Sequence, residues 1–86
     1  MPEISRFYGI VIRMFYDDHA PPHFHAQYGE DEALVDIQRI GVFAGHLPAR
    51  ALGLVIEWSA LHQSELLRLW KTLQEKNAAF KIDPLP

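Results

Sequence analysis

The stretch DDHAPPHFHAQY, residues 17–28, holds His19, His23 and His25 within seven positions, three of the five histidines in the chain. In an extended strand His23 and His25 point the same way, roughly 6.6–7 Å apart along the chain. Two imidazoles so placed can share one divalent metal such as zinc, and His19 could swing in from the loop as a third ligand. Three protein ligands with an open fourth position is the arrangement of a catalytic zinc. The His-x3-His-x-His spacing fixes no acidic partner by itself. A second chemistry needs no metal: a histidine titrates near neutral pH, Asp36 could orient it, and Arg13 could hold a phosphate or carboxylate. Small ribonucleases need little more than this, and His23, His25, Arg13 and Asp36 form the candidate catalytic set. A third reading is structural. Pro21 and Pro22 stiffen the loop, Phe24 anchors it in the core, and the histidines bond nearby backbone groups. The residues leave all three open.

These side chains are useful only if strands align them. FYGIVIRMFY, residues 7–16, is rich in β-branched and aromatic residues and predicts a first strand. DDHAPP ends it, because proline removes a ladder donor and holds its predecessor extended. A second strand is expected over about His23–Tyr28, a third over 33–38, and a weaker fourth over 42–45. The short turns between them predict an antiparallel meander. Ile10, Ile12 and Met14, joined by Phe24, Val35 and Ile37, make the better core face. The opposite parity then carries Arg13, His23, His25, Gln27 and Asp36. Phe7 and Phe15 fall on that second parity as exposed aromatics.

From Pro48, suited to a first helical position, apolar residues recur to about Lys76 with helical period: Leu52, Val55, Ile56, Leu66, Trp70 and Leu73. Ser59 and Gln63 continue the stripe through a polar waist. One long helix and two helices split near HQSE, residues 62–65, with Ser64 as a candidate cap, both fit. His46 and His62 read as a helix-start partner and a waist residue. Trp58 and Trp70 read as core or interface anchors. The expected architecture is α+β: a single domain, 1–86, with a four-stranded antiparallel sheet over about 7–45. A helical segment over about 48–76 covers one face, and residues 77–86 form an extended tail, which could add a short fifth strand.

Composition sets the outer limits. An 86-residue chain that is 49% hydrophobic and 22% charged reads as one small globular domain. The absence of cysteine removes disulfides and thiolate metal sites and fits a cytoplasmic setting. No apolar run reaches the roughly 18 residues of a membrane span, and MPEISRFYG has no signal-peptide character. A net charge of −3 does not favour nucleic acid as partner. Glu30, Asp31 and Glu32 read as a solvated turn.

The segment MPEISRFYGIVIRMFYDDHAPPHFHAQYGEDEA, with LP before the helix, EW within it and IDPL near the end, resembles domain-of-unknown-function family 4160. This is a widespread bacterial group of small stand-alone proteins. The likeness covers essentially the whole chain, and the PEIS-F-GI-I-M and DH-PPHFH motifs are its most specific parts. It implies no established catalytic residues. Members are often encoded beside another short protein, which implies a toxin–antitoxin-like or regulatory module acting through a small partner protein or by self-association. A small hydrolase, ribonuclease-like or metal-dependent, centred on His23 and His25 is the alternative.

Overall fold

A computed structural model describes residues 3–86. Five strands form one antiparallel sheet in chain order: β1 (Glu3–Phe7), β2 (Ile10–Arg13), β3 (His23–Tyr28), β4 (Asp31–Asp36) and β5 (Gly41–Gly45). Two helices follow, α1 (Ala49–Leu61) and α2 (Gln63–Lys76). The architecture is the expected α+β meander with helices at the C-terminal side, with five strands where four were expected.

The extra strand comes from a turn hidden inside the predicted first strand. Tyr8 and Gly9 both have positive φ, +50° and +81°, and Phe7 pairs with Ile10 across them. Two left-handed residues between paired positions make a tight hairpin whose twist matches its strands. That turn also corrects the expected exposure of Phe7. As the cross-strand partner of Ile10 it shares the core face, and it is buried. Phe15 is half-buried, edge-on to the His25 ring.

The remaining turns are equally local. Gly29, at φ +60°, is the first of two residues joining β3 to β4, the position where such a turn favours glycine. Between β4 and β5 the Asp36 carboxylate accepts hydrogen bonds from the backbone N–H groups of Gln38 and Arg39, at 2.9 and 3.1 Å. An aspartate in this role mimics a backbone turn. At Gly45, with φ +80°, a Cβ would lie 2.2 Å from the Glu32 carbonyl oxygen, so the close approach of β5 to β4 admits only glycine there.

The core lies between one sheet face and the helices. Ile10, Ile12, Met14, Phe24, Ala26, Ala33, Val35 and Ile37 meet Ala51, Val55 and Trp58 of α1 and Leu66, Leu69 and Leu73 of α2. The helices are separate, parted by His62, whose N–H still bonds the Trp58 carbonyl. Ser64 lies inside the first turn of α2 and is not its cap, and Pro48 precedes the first helical residue as the cap of α1. Ser59, the polar step in the apolar stripe, is buried and returns its hydroxyl proton to the Val55 carbonyl. The tail folds back: Ile82 N–H donates to the Ile4 carbonyl, and Trp58 Nε1 donates to the Asp83 carbonyl.

The placement of α2 matters for the histidines. The Gln63 side-chain amide donates to the carbonyls of Ile37 and Gln38, just beyond β4, and that of Gln74 donates to the Phe15 carbonyl, just beyond β2. The helix therefore crosses the strand ends. Trp70, between these two anchors, lies beside His23 at the start of β3, with ring centroids 5.3 Å apart.

Candidate metal centre

Strand β3 alternates core and open-face residues. Phe24 and Ala26 are buried in the core, so His23, His25 and Gln27 emerge on the other face. Register sets their neighbours. Arg13 pairs with His25, and Asp36 pairs with His23. The β2–β3 loop, stiffened by Pro21 and Pro22, brings back Asp18. Its Oδ2 lies 3.0 Å from His23 Nε2 and 3.2 Å from His25 Nε2.

Asp18, His23 and His25 thus offer three ligand atoms, all within 4.8 Å of one another. Around a tetrahedral zinc with bonds of about 2.05 Å, neighbouring donor atoms lie about 3.3 Å apart. The two Asp18 separations are within a few tenths of an ångström of that value.

The hydrogen-bonding logic of the cluster points to a cation. His23 Nδ1 lies 2.7 Å from the Pro21 carbonyl, an acceptor only, so Nδ1 carries the proton and donates it. Its Nε2 then turns a lone pair toward the Asp18 carboxylate, also an acceptor only. His25 is placed differently. Its Nε2 faces Asp18, while its buried Nδ1 has no hydrogen-bond partner and lies 3.4 Å from Glu32 Oε2. Every polar group facing the two imidazoles is an acceptor. The Asp18 carboxylate can accept from a His25 Nε2–H, which leaves His25 Nδ1 unpartnered and the His23 Nε2 lone pair against an anion; one cation taking both Nε2 lone pairs and the carboxylate satisfies all three groups. Metal-bound histidines commonly donate their other N–H to a carbonyl or carboxylate. Pro21 is so placed for His23, and Glu32 is the nearest carboxylate for His25.

Burial pushes the Asp18 carboxyl up, but this is outweighed by the hydrogen bond with His25, the charge of His23 and the His19 backbone N–H, so its pKa is lowered. It is held as the anion a ligand must be. Apolar walls enclose the group. Phe43 and Trp70 flank His23, which is only 4% exposed, and Phe15 meets the edge of His25.

Several expected roles change hands. His19 is exposed, and its backbone, not its ring, meets Asp18, so the third ligand atom is its neighbour's carboxylate. Asp36 shares the open face but is committed to the β4–β5 turn, so it is Asp18 that faces the imidazoles. Arg13 lies opposite His25, with Nη1 donating to Gln27 Oε1. Sequence spacing passed over Asp18. The one available signal was its position five residues before His23, across a loop too stiff to wander.

A separate groove of about 690 Å³ lies elsewhere, between the Tyr8–Tyr28 end of the sheet and α1. Tyr28 is five residues beyond His23 and three beyond His25 on β3, so about 16–17 Å and about 10 Å separate it from the two histidines.

The fold and cluster define a class: a small α+β domain whose open sheet face presents an Asp–His–His donor set at one end. The chain belongs to the family described as Domain of unknown function (DUF4160), whose match covers residues 9–71 and so includes the whole cluster. No curated protein and no solved structure matches the chain.

Proposed function

We propose that the protein is a small metal-dependent hydrolase whose divalent ion, zinc by donor chemistry, is held by Asp18, His23 and His25. The supporting observation is that both Nε2 atoms converge on the one Asp18 carboxylate while His23 Nδ1 already donates to Pro21, an arrangement one cation resolves. Two neutral imidazoles and one carboxylate suit zinc, and three protein ligands leave a position for water. Bound zinc supplies a nucleophilic hydroxide near neutral pH. The chain's own part is to fix the ligands. Pro21 orients His23, and Glu32 stands ready to accept from His25 Nδ1. Phe15, Phe43 and Trp70 limit water around the group. Protein purified without a histidine tag is expected to carry about one zinc per chain, and chelation should abolish hydrolysis of activated ester or phosphoester substrates. Tag-free protein that neither retains nor takes up zinc, cobalt or manganese would end this reading.

A second reading has its own observation. The groove rim exposes Tyr8 at 60%, Tyr28 at 41% and Leu61 at 63%. Large apolar side chains gathered on one surface mark interaction sites. This supports a toxin–antitoxin-like or regulatory module acting through a small partner protein encoded nearby, or through a second copy. A cytoplasmic setting belongs to the same reading. No helix among the described residues is long and apolar enough to cross a membrane. Replacing Leu61 with glutamate is expected to weaken such a complex at least tenfold, because it buries a charge against apolar surface. A strict monomer by light scattering, with no complex formed by the co-expressed neighbour, would remove this reading. The readings are compatible, since metal cluster and groove lie at opposite ends of the sheet.

A further inference from the structure

Among the described residues Arg13 is the open-face cation that makes no salt bridge, with Glu3 across the strands meeting its charge only at longer range. It is half-buried, paired across strands with His25, and its side-chain hydrogen bond goes to the neutral Gln27 amide oxygen. Among the described residues no carboxylate lies within ion-pair distance of it. Its cross-strand neighbour Glu3 is instead taken by Arg6, through two contacts of 2.8 and 3.1 Å. A guanidinium offers five donors, so Arg13 keeps several for a ligand after serving Gln27. Cross-strand neighbours on one face have Cβ atoms about 4.5–5.5 Å apart, which sets the stem of Arg13 beside the His25 ring.

We infer that the ligand of this site carries a phosphate-type group, bound with one oxygen at the metal and others on the Arg13 fork. The inference rests on the metal reading above and names the substrate class of the same site. Charge supports the order of events. Glu3, Asp18, Glu32 and Asp36 lie on or over this face against Arg6 and Arg13, so the metal-free face repels anions. A divalent ion balances that excess. The tetrahedral shape of phosphate also matters. A planar carboxylate has two oxygens and cannot give one to the metal while filling a bidentate guanidinium, whereas phosphate can. Gln27 holds Arg13 along the sheet and acts as its positioning residue.

The experiment uses the whole chain loaded with cobalt, whose visible spectrum reports ligand exchange, titrated first with metal and then with inorganic phosphate. Phosphate is expected to shift the spectrum of the wild-type protein and to leave the metal-free protein unbound. Arg13→Gln is expected to take up metal within about twofold of wild type while losing roughly ten- to a hundredfold in phosphate affinity, the scale of hydrogen bonds to charged groups. Arg13→Lys should recover part of it, through charge without the fork. Thermal melting checks that both variants fold. Metal uptake followed by phosphate binding indifferent to Arg13 would overturn this inference and leave the metal reading standing. Acetate binding as tightly as phosphate would do the same. Failure of metal uptake in the first titration would overturn both.

Discussion

A His23→Ala variant is expected to lose its metal and, with it, the stabilisation the metal confers. A ligand that binds only the folded chain stabilises it by about 2.7 kcal/mol at a hundred times its dissociation constant. In a domain of this size one kcal/mol moves the melting temperature by about 4–8 °C. The wild-type protein should therefore melt about 10–20 °C higher with saturating zinc than after chelation. In His23→Ala that difference should collapse to near zero. His23 also packs against Trp70 and Phe43, so the variant loses contacts even without metal. The zinc-minus-chelator difference, not the melting temperature alone, is the readout. Asp18→Asn sharpens the test, since it keeps size and shape while removing the ligand charge. It should lose most of the zinc response. His19→Ala is the control: its ring is exposed and outside the cluster, so its zinc response should match wild type. A metal-free acid–base pair predicts another pattern, with activity lost in His23→Ala and melting indifferent to zinc in every variant. Equal damage from His19→Ala and His23→Ala would show that the three ligand atoms are not those assigned.

The parts of this arrangement legible in the sequence are those governed by period and parity. Alternation in HFHAQY put His23 and His25 on one side and Phe24 on the other, and the same count from Arg13 and Asp36 reached the same face. Parity cannot see a turn inside an apolar run. Tyr8 adopts a left-handed conformation that few side chains favour, and no polar residue marks it, so the run reads as one strand where a hairpin exists. The error carried through to Phe7, since a two-residue turn sets residue 7 opposite residue 10. Parity also cannot tell what a side chain does once it is on the right face. Asp36 satisfies its own turn, and Asp18, on no strand at all, reaches the imidazoles through the loop. The helix break at His62 falls within HQSE, where a split is one of two open readings; the apolar phase runs on through it, so period alone does not choose.

Trp58→Ala is expected to remove a large share of the folding free energy. Trp58 is fully buried, packs edge-on against Phe24 with centroids 5.6 Å apart and lies 5.3 Å from Phe7. It joins α1 to β1 and β3 at once. Truncating a buried tryptophan to alanine costs about 3–5 kcal/mol. At roughly 0.05–0.15 kcal/mol per residue, an 86-residue domain holds about 4–13 kcal/mol in all. The variant should therefore unfold at a much lower urea concentration or not fold at all. Trp58→Phe separates ring volume from the hydrogen bond. It fills most of the space but leaves the Asp83 carbonyl without its Nε1 donor, so faster amide exchange or proteolysis should appear in residues 80–86 at a stability loss of about 1–3 kcal/mol. The same variant tests the separation of core and metal. Trp58 packs on the Phe24 face of β3, and the histidines emerge on the other, so the two contributions should add. Zinc is expected to raise the urea midpoint of Trp58→Phe by the same increment as in wild type. A smaller increment would mean that the sheet transmits the lost packing to His23 and His25, so that the metal ligands are not held by β3 and the β2–β3 loop alone.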